Sequence, residues 1–169
     1  MEQADFLKEW LPMIRKTTPL IPLLNKEGST KCGVVESGLS PLIYLETNGI
    51  LQTHLTEVIE YIDIIGMDIK LPSVAGVKPH WDFHRQFLKI AAKKEVFVKV
   101  VVDASVTWED MVNALEIVCS VNPGIPFVIQ PRTPVDMEAG QILKLQDMAS
   151  SKLSHVRVIP QVHKFLHLL

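Results

Sequence analysis

Asp68 and Lys70 stand two apart in IGMDIK, so an extended backbone presents a carboxylate and an ammonium on the same side. They could neutralise each other, or they could divide a ligand's ammonium and carboxylate between them; spacing leaves both open. Similar polar groups follow other apolar runs. Glu46, Thr47 and Asn48 follow LIYL, Lys99 and Asp103 lie in and after VFVKVVV, and Gln130 and Arg132 fall in PFVIQPR. Gln161, His163 and Lys164 follow VRVIP. Any one of these is what a strand end emerging into solvent would carry. Taken together, five ends offering carboxylate, amide, ammonium and imidazole suit a zwitterionic or polar small ligand.

Metal chemistry has weaker support. His80 and His84 stand four apart, the spacing of a zinc pair on a helix, but no third ligand has matching spacing, and Trp81, Asp82 and Phe83 read as helix surface and packing. His163 and His167 repeat the spacing with less around them. No metal site is expected. Cys119 falls on an apolar helix face and reads as core, Cys32 lies in a polar loop, and neither adjoins a base.

The elements that must position these groups alternate. Strands are predicted at LIYLE, DIIGMDI, VFVKVVV, PFVIQ and VRVIP, and helices over 51–62, 79–94, 107–121 and 136–153. Leu55, Val58, Ile59 and Ile62 form one apolar stripe; Met111, Val112, Leu115, Val118 and Cys119 form another. Thr107 and Asp110 have the spacing of a capping box, and Pro79 suits a first helical turn. This order predicts an α/β fold of βα units on a parallel sheet, open or closed into a barrel, with its strands apolar enough to be covered on both faces. In such folds ligands gather at the carboxyl ends of the strands, where Glu46, Asp68, Lys70, Gln130 and His163 would meet. Phe6, Leu7, Trp10, Leu11 and Ile14 predict an opening helix blemished by Pro12. Residues 21–41 hold no period and read as an inserted flexible loop within a single domain spanning 1–169.

Composition narrows the function classes. The chain has 169 residues, 47% hydrophobic and 21% charged, with a net charge of -2, so it lacks the basic footprint of a nucleic-acid binder. No apolar run is long enough to span a membrane, and the N-terminus is not a leader, so no membrane partner and a cytoplasmic location are expected. Two separated cysteines make neither a disulfide framework nor a metal cluster.

In order and interval, YLETNG, IGMDIKLPS, VFVKVVV, FVIQP and VIPQVHK resemble the later strands of a radical S-adenosylmethionine barrel. The group most resembled is the organic radical-activating one, which holds the 7-carboxy-7-deazaguanine synthases and the glycyl-radical-enzyme activases. The resemblance covers nearly all of the chain from Leu42 onward and implies a partial parallel (β/α) barrel of about five strands. It implies that Asp68, Lys70 and Gln130 face S-adenosyl-L-methionine and that Glu46 and His163 face a small-molecule substrate. In an activase-like arrangement Glu46, Thr47, Met67 and Asp68 would instead lie near a cation site beside the cofactor, which makes Thr47 a cofactor-side residue.

Relatives of this kind hold a 4Fe-4S cluster on a CxxxCxxC loop and the cofactor's amino group on a Gly-Gly-Glu-Pro motif; this sequence has neither. QADFLKEWL resembles the segment just after that motif, so two strands and the redox centre are expected to be missing. The family activity implied is a rearrangement started by a 5'-deoxyadenosyl radical, and the chain alone is expected to be inactive. Exposed strand edges would favour a homo-oligomer. Two alternatives compete with this reading: a non-catalytic α/β interaction domain, and a cluster-free barrel enzyme using Lys70 or His163 as acid or base.

Overall fold

The computed structural model describes residues 42–165, together with Lys8, Pro12, Leu23–Leu24 and Thr30–Lys31. Short Val- and Ile-rich runs become strands: β1 (Tyr44–Thr47), β2 (Ile64–Ile69), β3 (Glu95–Val102), β4 (Phe127–Pro131) and β5 (Val156–Val158). All neighbours are parallel, and strands lie side by side in sequence order. A doubly wound sheet reverses its order part-way, whereas successive crossovers of one hand put every helix on one side and curl the sheet. The architecture is therefore a partial β/α barrel.

The connecting elements are α1 (Gln52–Val58), running into a 3-10 turn at Ile59–Tyr61, then α2 (Pro72–Ala75), α3 (Trp81–Ala91), α4 (Trp108–Val121) and α5 (Ala139–Ser150), with α6 (Val162–Phe165) after β5. The short helices α2 and α6 were not expected from the sequence. Pro79 lies before α3, whose N-cap is His80, because the helical backbone begins only at Trp81. Residues 136–138 precede α5; Glu138 caps it, in a reciprocal box with Gln141. None of the described helices is long and apolar enough to cross a membrane.

One face of the sheet makes the core. Ile65, Met67 and Ile69 of β2, Val98 and Val100 of β3, and Phe127 and Ile129 of β4 are fully buried against the helices. Leu55, Val58, Ile59 and Ile62 are all buried, as are Met111, Leu115 and Val118; Val112 and Cys119 pack at the margin. The opposite face corrects the expectation of two-sided cover. Along β3 the alternating residues Phe97, Lys99 and Val101 are only half-buried among the described residues, as are Val128 and Gln130 of β4. This half-open face is the inside of the curl. Tyr44 and Phe97 stack across it at 6.3 Å, over Gly66, where a Cβ would collide with the Tyr44 hydroxyl and the Phe97 ring.

Lys8 and Pro12 are helical, but the rest of the opening helix lies outside the described residues. So does most of the 21–41 segment, apart from a two-residue antiparallel ladder between Leu23–Leu24 and Thr30–Lys31.

Gly49 turns the chain out of β1 with φ +66, a left-handed conformation that costs an L side chain roughly 1–2 kcal/mol. A Cβ there would also stand 2.6 Å from Met67 Cε. Met67 Cγ would stand at 2.8 Å as well and the side chain is fully buried, so it cannot simply swing aside, and Gly49→Ala is expected to cost more than about 2 kcal/mol in a urea titration.

Candidate functional site

The register of the strands decides which predicted residues meet. Glu46 aligns with Gly66 and Phe97, Asp68 with Lys99 and Val128, and Val101 with Gln130, all on the half-open face. Lys70 follows β2 on the same face, by alternation from Asp68. At the carboxyl end of this face the Lys70 ammonium lies 2.7 Å from Asp68 Oδ2. Lys99 lies 2.8 Å from Glu46 Oε1 and 3.8 Å from Asp68 Oδ2. Two carboxylates and two ammoniums thus interleave across three strands.

This answers the spacing ambiguity between Asp68 and Lys70. They do pair, but Asp68 is not satisfied by the pairing: its Oδ1 is buried and has no hydrogen-bond partner among the described residues. Burial works to depress the Lys99 pKa, but the hydrogen bond to Glu46 and the charge of Asp68 outweigh it, and the amine is held above the usual lysine range. Burial, reinforced by the Glu46 charge and opposed by Lys99, raises the Tyr44 phenol. Both groups stay protonated at neutral pH.

Beside it lies a hollow of about 200 Å³ between the ends of β2, β3 and β4, lined by Lys70, Leu71, Val74, Arg132, Gln161 and Lys164, among others. Arg132 is fixed by Asp103 at 2.8 Å and donates to the Val74 carbonyl at 3.0 Å. Burial pushes Asp103 up, yet hydrogen bonds from the Ser105 hydroxyl and amide, with the Arg132 charge, bring its pKa below the ordinary carboxylate value. Three cations and an amide therefore face one small hollow, a lining suited to an anionic group.

Not every predicted residue joins this site. Gln130 points to the same face beside Val101, one row from Lys99. Thr47 projects to the opposite side, as alternation from Glu46 requires, and its Oγ1 accepts the Gly49 amide at 3.2 Å. The His163 side chain lies outside what the structure describes; its backbone is in α6, between Gln161 and Lys164. Lys99, to which the resemblance assigns no role, is the centre of the cluster.

The histidine pair is not a pair. Buried His84 donates from Nδ1 to the Gly49 carbonyl at 3.0 Å, leaving Nε2 buried with no partner among the described residues. His80 occupies the N-cap position of α3 instead. Burial depresses the His84 pKa; the Gly49 hydrogen bond opposes this but does not overcome it. The unfolded chain, with a histidine near 6.5, then binds more protons than the fold at mildly acid pH. Stability is expected to be full above about pH 6.5 and to fall as pH drops from there toward the lower folded value. Asp103 adds a loss of the same sign at lower pH. Urea midpoints at pH 7.5 and 5.5 check this, and His84→Gln is expected to flatten the difference.

No protein-family model matches the chain. Among curated proteins, the 7-carboxy-7-deazaguanine synthase of Geobacter sulfurreducens is 38% identical over 166 residues, which is 96% of this chain and 57% of that protein. The synthase of the same name from Thermococcus kodakarensis is 29% identical over 131 residues, 75% of this chain and 51% of that protein. The chain spans about half the length of the curated relatives it matches. The chain is thus similar along nearly its whole length to part of a 7-carboxy-7-deazaguanine synthase, which supports the radical S-adenosylmethionine link drawn from its motifs.

Proposed function

We propose that this chain carries strand ends of a 7-carboxy-7-deazaguanine-synthase-like barrel that bind S-adenosyl-L-methionine and a small polar substrate. The observation that carries the reading is Asp68: a carboxylate flanked by two ammoniums, with one buried oxygen still lacking a donor among the described residues. That oxygen fits a hydroxyl or ammonium of the cofactor, the cationic hollow fits its carboxylate, and Gln130 offers an amide on the same face. Glu46 and His163 are then on the substrate side. The activase-like arrangement fits less well. Lys99 already puts a positive charge between Glu46 and Asp68, and Thr47 and Met67 face away from them.

The iron-sulfur cluster of full-length relatives does not fit these residues. Two cysteines cannot supply three thiolates, and Cys119 sits on α4 with Sγ 3.6 Å from the Lys152 carbonyl. The cofactor's sulfonium is cleaved only by an incoming electron, and no side chain here delivers one. This chain is therefore expected to bind the cofactor without cleaving it. Anaerobic incubation with iron, sulfide, dithionite and S-adenosylmethionine, followed by chromatography for 5'-deoxyadenosine, tests this. No product above buffer is expected, and multiple turnovers would overturn the reading.

A further inference from the structure

Thr107 and Asp110 have the spacing at which the acid of a capping box reaches back to the amide of the cap residue. Only half of that box forms. Thr107 Oγ1 accepts the Asp110 amide at 3.2 Å, but the Asp110 carboxylate turns away to a segment 37 residues earlier. Its Oδ2 accepts both the Ser73 amide, at 2.7 Å, and the Ser73 hydroxyl, at 2.6 Å. The Thr107 amide, released from the box, donates to Ser73 Oγ at 3.2 Å. A local stabilising motif has been given up for a tie between two loops, and such departures mark places where position matters more than local fit.

What is tied is α2, a single turn of four residues with none buried. A helix this short does not hold itself; its apolar hold is limited to Leu71, buried just before it, and Val74, partly buried against the core. Polar ties complete that hold: Asp110 and Thr107 at Ser73, the Ser105 hydroxyl at the Ser73 carbonyl, and Arg132 at the Val74 carbonyl. Leu71, Val74 and Ala75 are one wall of the cationic hollow, and Lys70 stands immediately before them. Asp110 itself is buried and does not line that hollow.

We propose that Asp110 is a positioning residue: it touches no ligand, and it fixes α2 as the wall of the hollow and so fixes Lys70 in its binding geometry. The ligand part of this rests on the cofactor reading above; the placement of α2 does not.

Amide hydrogen exchange of the full chain tests the placement, read at Val74, Ala75 and Gly76, whose amides are bonded within this turn. Asp110→Ala is expected to speed exchange at these three by about tenfold or more, leaving the β3 amides unchanged. Asp110→Asn, which keeps an acceptor oxygen, is expected to restore part of the protection. Ser73→Ala alone removes the hydroxyl bond but keeps the Ser73 amide on Asp110, so it should speed exchange less than Asp110→Ala, and adding Asp110→Ala to it should speed exchange further. S-adenosylmethionine titration is the second arm, with the dissociation constant rising about tenfold in Asp110→Ala. Unchanged exchange at the three amides, or an equal rise everywhere, would overturn the proposal. So would a full local response with unaltered affinity. If the amides respond but the unaltered chain binds no S-adenosylmethionine, the cofactor reading fails and the placement of α2 stands.

Discussion

Replacing Asp68 with alanine is expected to weaken S-adenosylmethionine binding by about ten- to a hundredfold, the range set by the loss of one charge-assisted hydrogen bond. Two effects add. The buried Oδ1 that awaits a donor disappears, and the Lys70 and Lys99 ammoniums lose the carboxylate that sits between them. The lysines would then repel each other and the cofactor's own positive sulfonium. Stability should change less, because the substitution also removes a buried oxygen without a partner among the described residues, Lys70 is half exposed, and Lys99 keeps Glu46 at 2.8 Å. Calorimetric titration together with a urea curve separates the two outcomes. A large loss of stability with unchanged affinity would mean that Asp68 serves the fold and not a ligand.

Phe127→Ala is expected to have the largest effect on stability, about 3–5 kcal/mol. The ring is fully buried on the helix side of β4, in the row shared with Val98 and Val156. Its backbone amide is bonded to the His155 carbonyl at 2.8 Å, so the strand cannot move to fill the space. Typical domains have about 5–15 kcal/mol of total stability, and this loss would remove a large part of that. Trp108→Ala is the contrasting control. That side chain is 62% exposed at the start of α4, and its removal is expected to cost within about 0.5 kcal/mol. The urea midpoint with an unchanged slope is the quantity to compare.

The strands and main helices were readable because their signal is local. Val96 to Val102 is a continuous β-branched and aromatic run broken by one lysine, and it becomes β3 with only Glu95 added. The stripe from Leu55 to Ile62 is buried as its spacing requires. The site was readable in part. Alternation alone put Asp68 and Lys70 on one face, and the same alternation separates Thr47 from Glu46, a signal already present in the sequence. The polar residues Glu46, Asp68, Lys99 and Gln130 also mark the half-open face, though the apolar content of the strands suggested cover on both sides.

What could not be read depends on register and long-range contact. Lys99 becomes central because Asp68 aligns with it across β2 and β3, and nothing in either strand alone sets that register. The tie between Ser73 and Asp110 spans two crossovers, and the local spacing of Thr107 and Asp110 pointed to a different bond. His84 was legible only as half of a metal pair. Its partner, the Gly49 carbonyl, is a backbone group that no side-chain pattern reveals.

The central claim is that the carboxyl tips of the parallel strands form one cofactor-facing surface, and a map of backbone amide shifts during S-adenosylmethionine titration tests it most directly. Saturable shifts are predicted at Glu46, from Asp68 to Leu71, at Lys99 and Val101, from Gln130 to Arg132, and from Gln161 to Lys164. No saturable shift at millimolar cofactor, or shifts gathered on the outer faces of α4 and α5, would contradict it.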